Sequence, residues 1–279
     1  MRIPHLTPTG TRSYAPYSKR RGPGIENSSL VTYSSKRGGS VRANDENALR
    51  TELADIGHAL VTELRDEGEA VQLLESLGSI IPQYDGKVRH DVTYQPGYDH
   101  QSYSRSTNTI RAHTEAPGWA PEPPRYLALF CHRQDRFGGG HTDLLDGAVL
   151  REQLSPTELS LMASTPIAFP GRNESSTEAP MFQTQADGRL LLRFSFNLLT
   201  SGSYEAILTG PAPDHAKLPI GARGAALAEQ VGELFDKFRT RILIPENGLL
   251  IWDNHRLLHA RSEYSDRARH LTRFWLATM

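Results

Sequence analysis

The sequence predicts a mostly β fold, either a sandwich or an open barrel, with helices packed outside it. Short segments of strand character recur along the chain, and only a few helical patterns interrupt them. Clusters of Pro and Gly, such as PGWAPEPP at 117–124 and FGGG at 137–140, separate these segments. The sequence has no internal repeat, no GxGxxG after a strand and no P-loop. These features favour a β protein over a nucleotide-binding α/β fold.

The composition is that of a globular protein long enough to bury a core, with 279 residues, 38% of them hydrophobic and 23% charged. No apolar run approaches the roughly 20 residues that a membrane-spanning helix needs. The first ten residues, MRIPHLTPTG, contain no apolar core of the kind found in signal peptides. The single cysteine, Cys131, excludes an internal disulfide framework. We therefore expect a cytoplasmic protein that does not associate with membranes.

Charge divides the chain into two parts. Residues 1–42 carry eight Lys or Arg and one acid, Glu26, whereas the remainder carries 23 basic and 31 acidic residues. The basic part is rich in Ser, Gly, Tyr and Pro and cannot bury enough apolar surface to fold alone. We predict a disordered tail over 1–42 and a single domain over 43–279. The acidic body argues against a nucleic-acid-binding fold, and a solvated or docked tail fits better than one that binds an acidic partner.

The first elements are two helices followed by strands. Segment 46–67 repeats apolar residues every three or four positions, which predicts a helix capped by Asn44 or Asp45. A second helix is predicted over 69–77 and ends at Gly78, a residue suited to the left-handed turn after a helix. The strand segments that follow are VTYQ (92–95), TNTIRAHTE (107–115), RYLALFCH (125–132) and HTDLLDG (141–147).

The later elements alternate between helix and strand. Segment 144–161 predicts a helix, and its Ser155 and Glu158 fit a capping box. Segment 200–219 is rich in Gly, Pro and Ser and predicts a long loop, which inside a compact domain is usually a functional lid. The remaining elements are a strand over 188–199, an amphipathic helix over 222–239, and buried strands over 248–253 and 270–278.

Candidate metal ligands lie in HTE, on the third strand segment. Because residues i and i+2 of a strand face the same side, His113 and Glu115 can direct an imidazole and a carboxylate at one ion. His259, which follows the strand 248–253 in DNHRLLHAR, supplies a second imidazole. Two histidines and one carboxylate form a facial triad with three open positions for oxygen and a chelating co-substrate. Asn254 and Arg256 could orient these ligands or could cap the turn.

Arginines follow the distal histidine. Arg269 and Arg273 differ by four positions on the last predicted strand, so both side chains should face the same way. The planar guanidinium donates two parallel hydrogen bonds to a carboxylate. The sequence therefore predicts a carboxylate-binding site near the metal.

Together, AHTE, GGGHTDLLDG, DNHRLLHAR and RHLTR resemble iron(II)/2-oxoglutarate-dependent oxygenases, in particular their clavaminate synthase-like and taurine dioxygenase-like branch. The resemblance runs from about residue 50 to the end of the chain. It implies a double-stranded β-helix, or jelly-roll, core. It also implies iron(II) held by His113, Glu115 and His259, and 2-oxoglutarate held by Thr142 and Arg269.

The same resemblance implies that the enzyme uses O2 to hydroxylate, desaturate or cyclise a small polar substrate. An amino acid or a derivative from specialised metabolism, free or tethered to a carrier protein, fits this expectation. Related halogenases lack the carboxylate at the position of Glu115, so its presence favours oxygenation over halogenation. Arg273 is the first candidate to meet a substrate acid group, with Arg261 as the alternative. Further candidate pocket residues are Tyr103, Ser104, Asn108 and Arg193.

Alternatives remain for both the metal pair and the function. His141 and Asp143 form a second H-x-D pattern, but their use would leave Thr142 inside the metal pair. A cupin-like hydrolase or isomerase could use the same metal ligands without needing Thr142 or Arg269. A catalytically silent protein that recruits partners through its basic tail is the remaining class.

Overall fold

The computed structural model describes residues 40–42, 45–171, 175–211 and 213–277. Most of the predicted tail, residues 1–39, lies outside the described residues. The described strands are β1 Ser40–Arg42, β2 His58–Thr62, β3 Ile80–Ile81, β4 His90–Thr93, β5 Gln101–Ser102, β6 Ile110–His113, β7 Tyr126–Arg133, β8 Thr142–Asp146, β9 Ile167–Pro170, β10 Ser176–Ala179, β11 Phe182–Thr184, β12 Leu190–Leu192, β13 Ala206–Ile207, β14 Thr240–Ile242, β15 Leu249–Asp253, β16 Leu257–Arg261 and β17 His270–Leu276. The helices are α1 Glu46–Ile56, α2 Glu67–Leu77, α3 Gly147–Gln153, α4 Pro156–Ser164, α5 Phe196–Ser201 and α6 Gly221–Phe238, with a 3-10 turn at His215–Lys217.

The larger sheet has the strand order β1-β2-β15-β7-β17-β3, and β4 pairs with residues 270–273 of β17, on the edge that β3 also uses. Its central strand β15 is apolar on both faces because both faces are covered. Leu249 and Ile251 join an apolar cluster with residues of α1 and α2, whereas Leu250 and Trp252 join a second cluster on the opposite face. This two-residue alternation is the side-chain geometry of a strand.

The smaller sheet has the order β14-β8-β16-β6. Helix α6 contributes Leu227, Val231 and Phe235 to the apolar cluster that also holds Leu145 of β8 and Leu258 of β16. Side chains from both sheets line one cavity, so the cavity lies between them. The fold is therefore mostly β with flanking helices, as predicted.

The helix predicted over 46–67 is wrong in its second half. Helix α1 ends at Ile56 because Gly57 adopts a left-handed conformation, with φ of 80°. Residues 58–62 then form β2, which lies between β1 and β15. Leu60 continues the helical repeat, whereas the buried positions of β2 are Ala59 and Val61, so the helical spacing of apolar residues continued through a change of structure. The partner strand, 40–42, falls inside the segment predicted as a tail.

Two further predictions need correction. The helix predicted over 144–161 is the end of β8 followed by α3 and α4, because the Ser155–Pro156 step starts a new helix. The capping box of Ser155 with Glu158 is confirmed. The strand predicted over 188–199 is limited to β12, and Ser195 then caps α5.

The other long elements agree with the sequence. Helix α2, helix α6 and strands β15 and β17 are confirmed within a few residues of their predicted ends. The loop predicted over 200–219 contains the end of α5, the short strand β13 and the 3-10 turn. None of the helices in the described parts of the chain combines the length and the apolar character of a membrane span.

Candidate metal centre

Two neighbouring strands of the smaller sheet bring His113, Glu115 and His259 together. His113 ends β6 and lies opposite His259 in the antiparallel pair with β16, and the centroids of the two rings are 4.1 Å apart. One ligand atom from each of the three side chains lies within 4.8 Å of the other two. Among the described residues this is the one group of three or more His, Cys, Asp or Glu side chains with that geometry.

Glu115 reaches this group from a position beyond the strand. Strand β6 ends at His113, so the expected shared strand face does not extend to the carboxylate. Asn254 fixes the backbone instead, because its Oδ1 accepts from the Glu115 N–H at 2.7 Å and its Nδ2 donates to the Glu115 carbonyl at 3.1 Å. Of the two roles considered for Asn254, the structure favours orientation of the candidate ligand.

Burial keeps both imidazoles neutral. The Nδ1 atom of His113 lies 2.9 Å from the carbonyl of Arg111, which assigns the ring proton to Nδ1 and leaves Nε2 with a free lone pair. Desolvation lowers the pKa of His113, although Glu115 opposes this shift. Desolvation also lowers the pKa of His259 well below its usual value. Neutral imidazole is the form that binds a metal ion.

Arg269 lies in the same cavity with one guanidinium nitrogen unused. Its Nε donates to Gln134 Oε1 at 3.0 Å, and its Nη2 donates to the Gly140 carbonyl at 2.9 Å. Its Nη1 is buried without a hydrogen-bond partner among the described residues. Gly140 is required here because a Cβ atom would lie 2.4 Å from the Arg269 Nε. Thr142, which is 3% exposed, lines the same cavity.

The cavity has a volume of about 460 Å³ and contains every predicted metal and co-substrate residue. Its lining includes His113, Glu115, Thr142, His259, Arg269 and Arg273. An apolar wall is formed by Leu127, Leu129, Trp252 and Leu271. The exposed lining residues Tyr84, Asp85, Pro170 and Glu205 mark where the cavity opens to solvent.

Arg261, the alternative partner of a substrate acid group, and Asn108, a candidate pocket residue, both donate to backbone carbonyls instead. The Arg261 guanidinium, on a residue 7% exposed, donates to four backbone carbonyls of the loop 103–108. They belong to Tyr103, Ser104, Ser106 and Asn108. The Asn108 side chain donates to the carbonyls of Asp99 and Gln101, both at 2.8 Å. Arg261 therefore fixes the cavity wall, and the structure does not bring Asn108 into the lining.

Of the remaining predicted pocket residues, two line the cavity and one does not. Tyr103 and Ser104 line the cavity. Arg193 is not among the lining residues, because its guanidinium donates to the carbonyls of Pro117 and Pro121. It anchors the Pro-rich connection between β6 and β7. The sequence places Arg193 on a predicted strand. It does not show that backbone carbonyls will accept hydrogen bonds from the Arg193 guanidinium.

The rival pair of His141 and Asp143 does not form a comparable group. Both carboxylate oxygens of Asp143 accept from Arg241 at 2.9 Å. The His141 Nδ1 lies 3.5 Å from the Ser262 hydroxyl. Neither residue of the pair lines the cavity.

Several cavity residues were not predicted from the sequence. Gln83, Arg105, Asn197 and Glu205 come from separate segments and belong to no spacing pattern. The one signal available was the loop prediction over 200–219, which contains Glu205.

Comparisons with known proteins show the family and the fold of this chain. The chain matches a family model described as "Taurine catabolism dioxygenase TauD, TfdA family" over residues 32–275. A search of curated proteins gave no match. An asparagine oxygenase solved with Fe(II), 2S,3S-3-hydroxyasparagine and succinate has a TM-score of 0.67 at 17% identity, covering 84% of this chain and 79% of that chain.

Other solved structures share the fold at similar identity. The non-heme iron oxygenase OrfP, solved with Fe and alpha-ketoglutaric acid, has a TM-score of 0.59 at 16% identity, covering 84% of this chain and 79% of that chain. PvcB from Pseudomonas aeruginosa has a TM-score of 0.57 at 18% identity, covering 83% of this chain and 79% of that chain. At these identities the likeness establishes a common fold.

Proposed function

Because this chain belongs to the taurine catabolism dioxygenase TauD, TfdA family, we propose that it is an iron(II)- and 2-oxoglutarate-dependent oxygenase of a small polar substrate. An amino acid or a derivative in specialised metabolism fits this class, and hydroxylation, desaturation or cyclisation is the expected outcome. The observation that carries the proposal is the meeting of a His-Glu-His group and an unsatisfied arginine in one cavity.

The candidate ligands suit iron(II). His113, Glu115 and His259 would supply two imidazoles and one carboxylate, the donor set of non-haem iron oxygenases. Asn254 accepts a hydrogen bond from the Glu115 N–H and donates one to the Glu115 carbonyl, which would hold the backbone that carries this carboxylate in place. Residues around metal ligands tune their orientation in this way and matter nearly as much as the ligands.

The cavity also suits 2-oxoglutarate. A buried guanidinium nitrogen without an acceptor is costly, and a carboxylate oxygen satisfies it with a charge-assisted hydrogen bond. Arg269 has such a nitrogen, Nη1, and Thr142 lines the same cavity. We therefore assign the far carboxylate of 2-oxoglutarate to Arg269 and Thr142.

With both groups bound, iron supplies the oxidation, in which O2 and 2-oxoglutarate become succinate and carbon dioxide and a substrate C–H bond is oxidised. The protein positions the reactants and limits water. The apolar wall formed by Leu127, Leu129, Trp252 and Leu271 lies on the side of the larger sheet. Glu115 occupies the position that related halogenases leave without a carboxylate, so oxygenation is favoured over halogenation.

The two sheets that enclose the cavity are consistent with a jelly-roll core, which we propose for this fold. Residues 43–279 would form one oxygenase domain, to which the strand at 40–42 adds an edge. Delivery of the substrate on a carrier protein and a cytoplasmic location stay predictions.

A cupin-like hydrolase or isomerase explains less of the site. It would use the metal group, but it gives no role to the unsatisfied Arg269 nitrogen or to the Gly140 contact that holds this arginine. A catalytically silent binding protein gives no role to the metal group or to the unsatisfied Arg269 nitrogen. Family membership and site geometry both favour the oxygenase.

Release of succinate from 2-oxoglutarate tests the proposal. The full chain with iron(II), O2, 2-oxoglutarate and a panel of amino acids should form succinate, and Glu115→Ala should abolish it. Glu178→Ala, at an exposed position outside the cavity, is the matched control and should keep the activity. Equal succinate formation by the wild type and Glu115→Ala would overturn the proposal.

A further inference from the structure

Two opposite charges line the cavity without pairing with each other. Arg105 lies in the loop 103–108, and Glu205 precedes β13. Among the described residues no ion pair within 4.0 Å joins them, although each influences the other electrostatically. Strand β13 pairs with β5 through Ala206 and Ser102, which brings these distant segments side by side.

Arg105 is held by aromatic residues and lacks a carboxylate partner among the residues that the structure describes. Its Nη1 donates to the Tyr98 hydroxyl at 3.1 Å, and its guanidinium carbon lies 5.5 Å and 5.7 Å from the ring centroids of Tyr98 and Tyr103. Its Nε is buried, also without a hydrogen-bond partner in the described part of the chain. The aromatic rings fix the plane of the guanidinium, and the donors that remain are suited to an incoming carboxylate.

Glu205 remains accessible from solvent. It is exposed and lines the cavity, so a substrate can reach it as it enters. Partial desolvation raises the pKa of the Glu205 carboxyl, and Arg105 and the Tyr103 hydroxyl oppose that rise. An ammonium group beside the carboxylate would stabilise its charged form.

The loop that carries Arg105 has a fixed position relative to the candidate metal ligands. Arg261 holds the loop 103–108 through its hydrogen bonds to four carbonyls, and Arg261 is two residues from His259 on β16. Arg105 is therefore tied to the strand that carries a metal ligand.

Arg273, the expected partner of a substrate acid group, is already engaged. Its Nη1 contacts Glu115 Oε1 at 2.9 Å, and its Nε donates to Gln83 Oε1 at 2.8 Å. Arg105 makes no comparable ion pair with a described carboxylate. Of these two cavity arginines, Arg105 is the one whose charge is free to meet a substrate.

We propose that Arg105 and Glu205 form the subsite for the head group of a free, zwitterionic α-amino acid, with Arg105 binding the carboxylate and Glu205 binding the ammonium group. The inference rests on the proposed oxygenase function and names its substrate class. A zwitterion complements both charges at once, whereas an amino acid in ester or thioester linkage would leave Arg105 unpaired. The subsite therefore favours a free substrate over one tethered to a carrier through its carboxylate.

Anaerobic titration of the full chain, loaded with iron(II) and 2-oxoglutarate, tests this subsite. The probes are the twenty standard L-amino acids, followed by the N-acetyl derivative and the methyl ester of those that bind. Binding is measured by the change in the visible charge-transfer absorption. We expect at least one free amino acid to bind and both of its blocked derivatives to bind roughly ten-fold or more weakly, because each loses a charge-assisted contact.

Variants of Arg105 and Glu205 test which residue binds each charged group of the amino acid. Glu205→Gln should weaken binding of the free amino acid roughly ten-fold and reduce the discrimination against the N-acetyl derivative. Arg105→Gln should also weaken binding of the free amino acid roughly ten-fold, and it should reduce the discrimination against the methyl ester. Glu178→Gln and Arg189→Gln, at exposed positions outside the cavity, should bind like the wild type. Each variant that forms the absorption before an amino acid is added has a folded site.

The titration distinguishes failure of the proposed function from failure of the subsite proposal. If no charge-transfer absorption forms in the wild type, the proposed function is wrong. If it forms but no amino acid in the panel changes it, or if the blocked derivatives bind as well as the free one, the subsite proposal is wrong and the oxygenase assignment stands. Loss of ester discrimination in Arg273→Gln but not in Arg105→Gln would also overturn the subsite proposal.

Discussion

Arg273 binds one oxygen of the Glu115 carboxylate, and the other oxygen faces His259. The Nη1 atom of Arg273 lies 2.9 Å from Oε1 of Glu115, whereas Oε2 of Glu115 lies 4.0 Å from Nε2 of His259. Both side chains of the ion pair are largely buried, with 15% and 11% of their surface exposed. Arg273 thus directs one carboxylate oxygen toward the imidazoles by holding the other.

Arg273→Gln should therefore weaken metal binding. The Glu115 carboxylate would lose a charged anchor, and changes next to metal ligands typically reduce metal affinity about 10- to 100-fold. Isothermal titration of the protein with iron(II) under anaerobic conditions, without 2-oxoglutarate or substrate, measures this effect. Arg133→Gln, at an exposed position, is the matched control. Unchanged iron affinity in Arg273→Gln would remove this positioning role.

Gly140→Ala should weaken 2-oxoglutarate binding and leave metal binding intact. The added methyl group would lie 2.4 Å from Nε of Arg269 and displace the guanidinium. Loss of a charge-assisted hydrogen bond corresponds to roughly a ten-fold rise in the dissociation constant of 2-oxoglutarate. Gly138→Ala is a matched control, because Gly138 also has a positive φ, of 84°, but its added methyl group would have no described atom within 4 Å. Equal effects of the two substitutions would show that backbone strain, not the arginine contact, is responsible.

Arg261→Met should destabilise the fold. The substitution leaves the carbonyls of Ser104, Ser106 and Asn108 without their donor, and each buried unsatisfied group costs about 1–3 kcal/mol. The Tyr103 carbonyl keeps its hydrogen bond from the Ser106 N–H. We expect the free energy of unfolding in urea to fall by at least about 3 kcal/mol. Arg267→Met, which removes an ion pair with Asp99 between side chains 65% and 51% exposed, should cost less than about 1 kcal/mol. A similar cost for both would contradict the role given to Arg261.

His255 predicts a pH dependence of stability. Desolvation lowers the pKa of His255 to about 4 in the folded protein, whereas the unfolded value is about 6.5. Below pH 6.5 the unfolded state therefore binds the extra proton, and stability is lost as the pH falls toward 4.

His255→Gln should remove part of that loss. Between pH 7 and pH 5 the variant should lose about 2 kcal/mol less unfolding free energy than the wild type, as measured in urea. Glutamine can retain the contact that His255 Nε2 makes with the Pro123 carbonyl at 2.9 Å. His100→Gln, at an exposed position, should follow the wild type. A parallel pH dependence in His255→Gln and wild type would exclude His255 as the cause.

Periodicity predicted the elements that are long or buried on both faces. Helix α6 and strands β15 and β17 follow it because tertiary packing agrees with their local pattern. The pattern failed at 58–62, where Leu60 continues the helical spacing although Gly57 has ended α1 and Ala59 and Val61 are the buried positions of β2. Local residues alone did not show that β15 would pair with this segment.

The residues of the candidate site also differ in whether a sequence pattern predicted them. The three metal-binding candidates and Arg269 belong to spaced motifs, and the structure brings them to one cavity. Arg193 and Asn108 were candidate pocket residues outside these motifs, and nearby carbonyls accept hydrogen bonds from both side chains. Arg105 and Glu205 line the same cavity because β5 pairs with β13, a long-range contact that no spacing in the sequence encodes.

Anaerobic addition of iron(II) and 2-oxoglutarate is the sharpest test of the metal and co-substrate assignment. Chelation of iron by the keto acid should give a visible charge-transfer absorption in the wild type. The absorption should be lost in His113→Ala and kept in His141→Ala, because His141 lies outside the cavity lining. Absence of the absorption in wild-type protein with iron bound, or its loss in His141→Ala with retention in His113→Ala, would contradict this assignment.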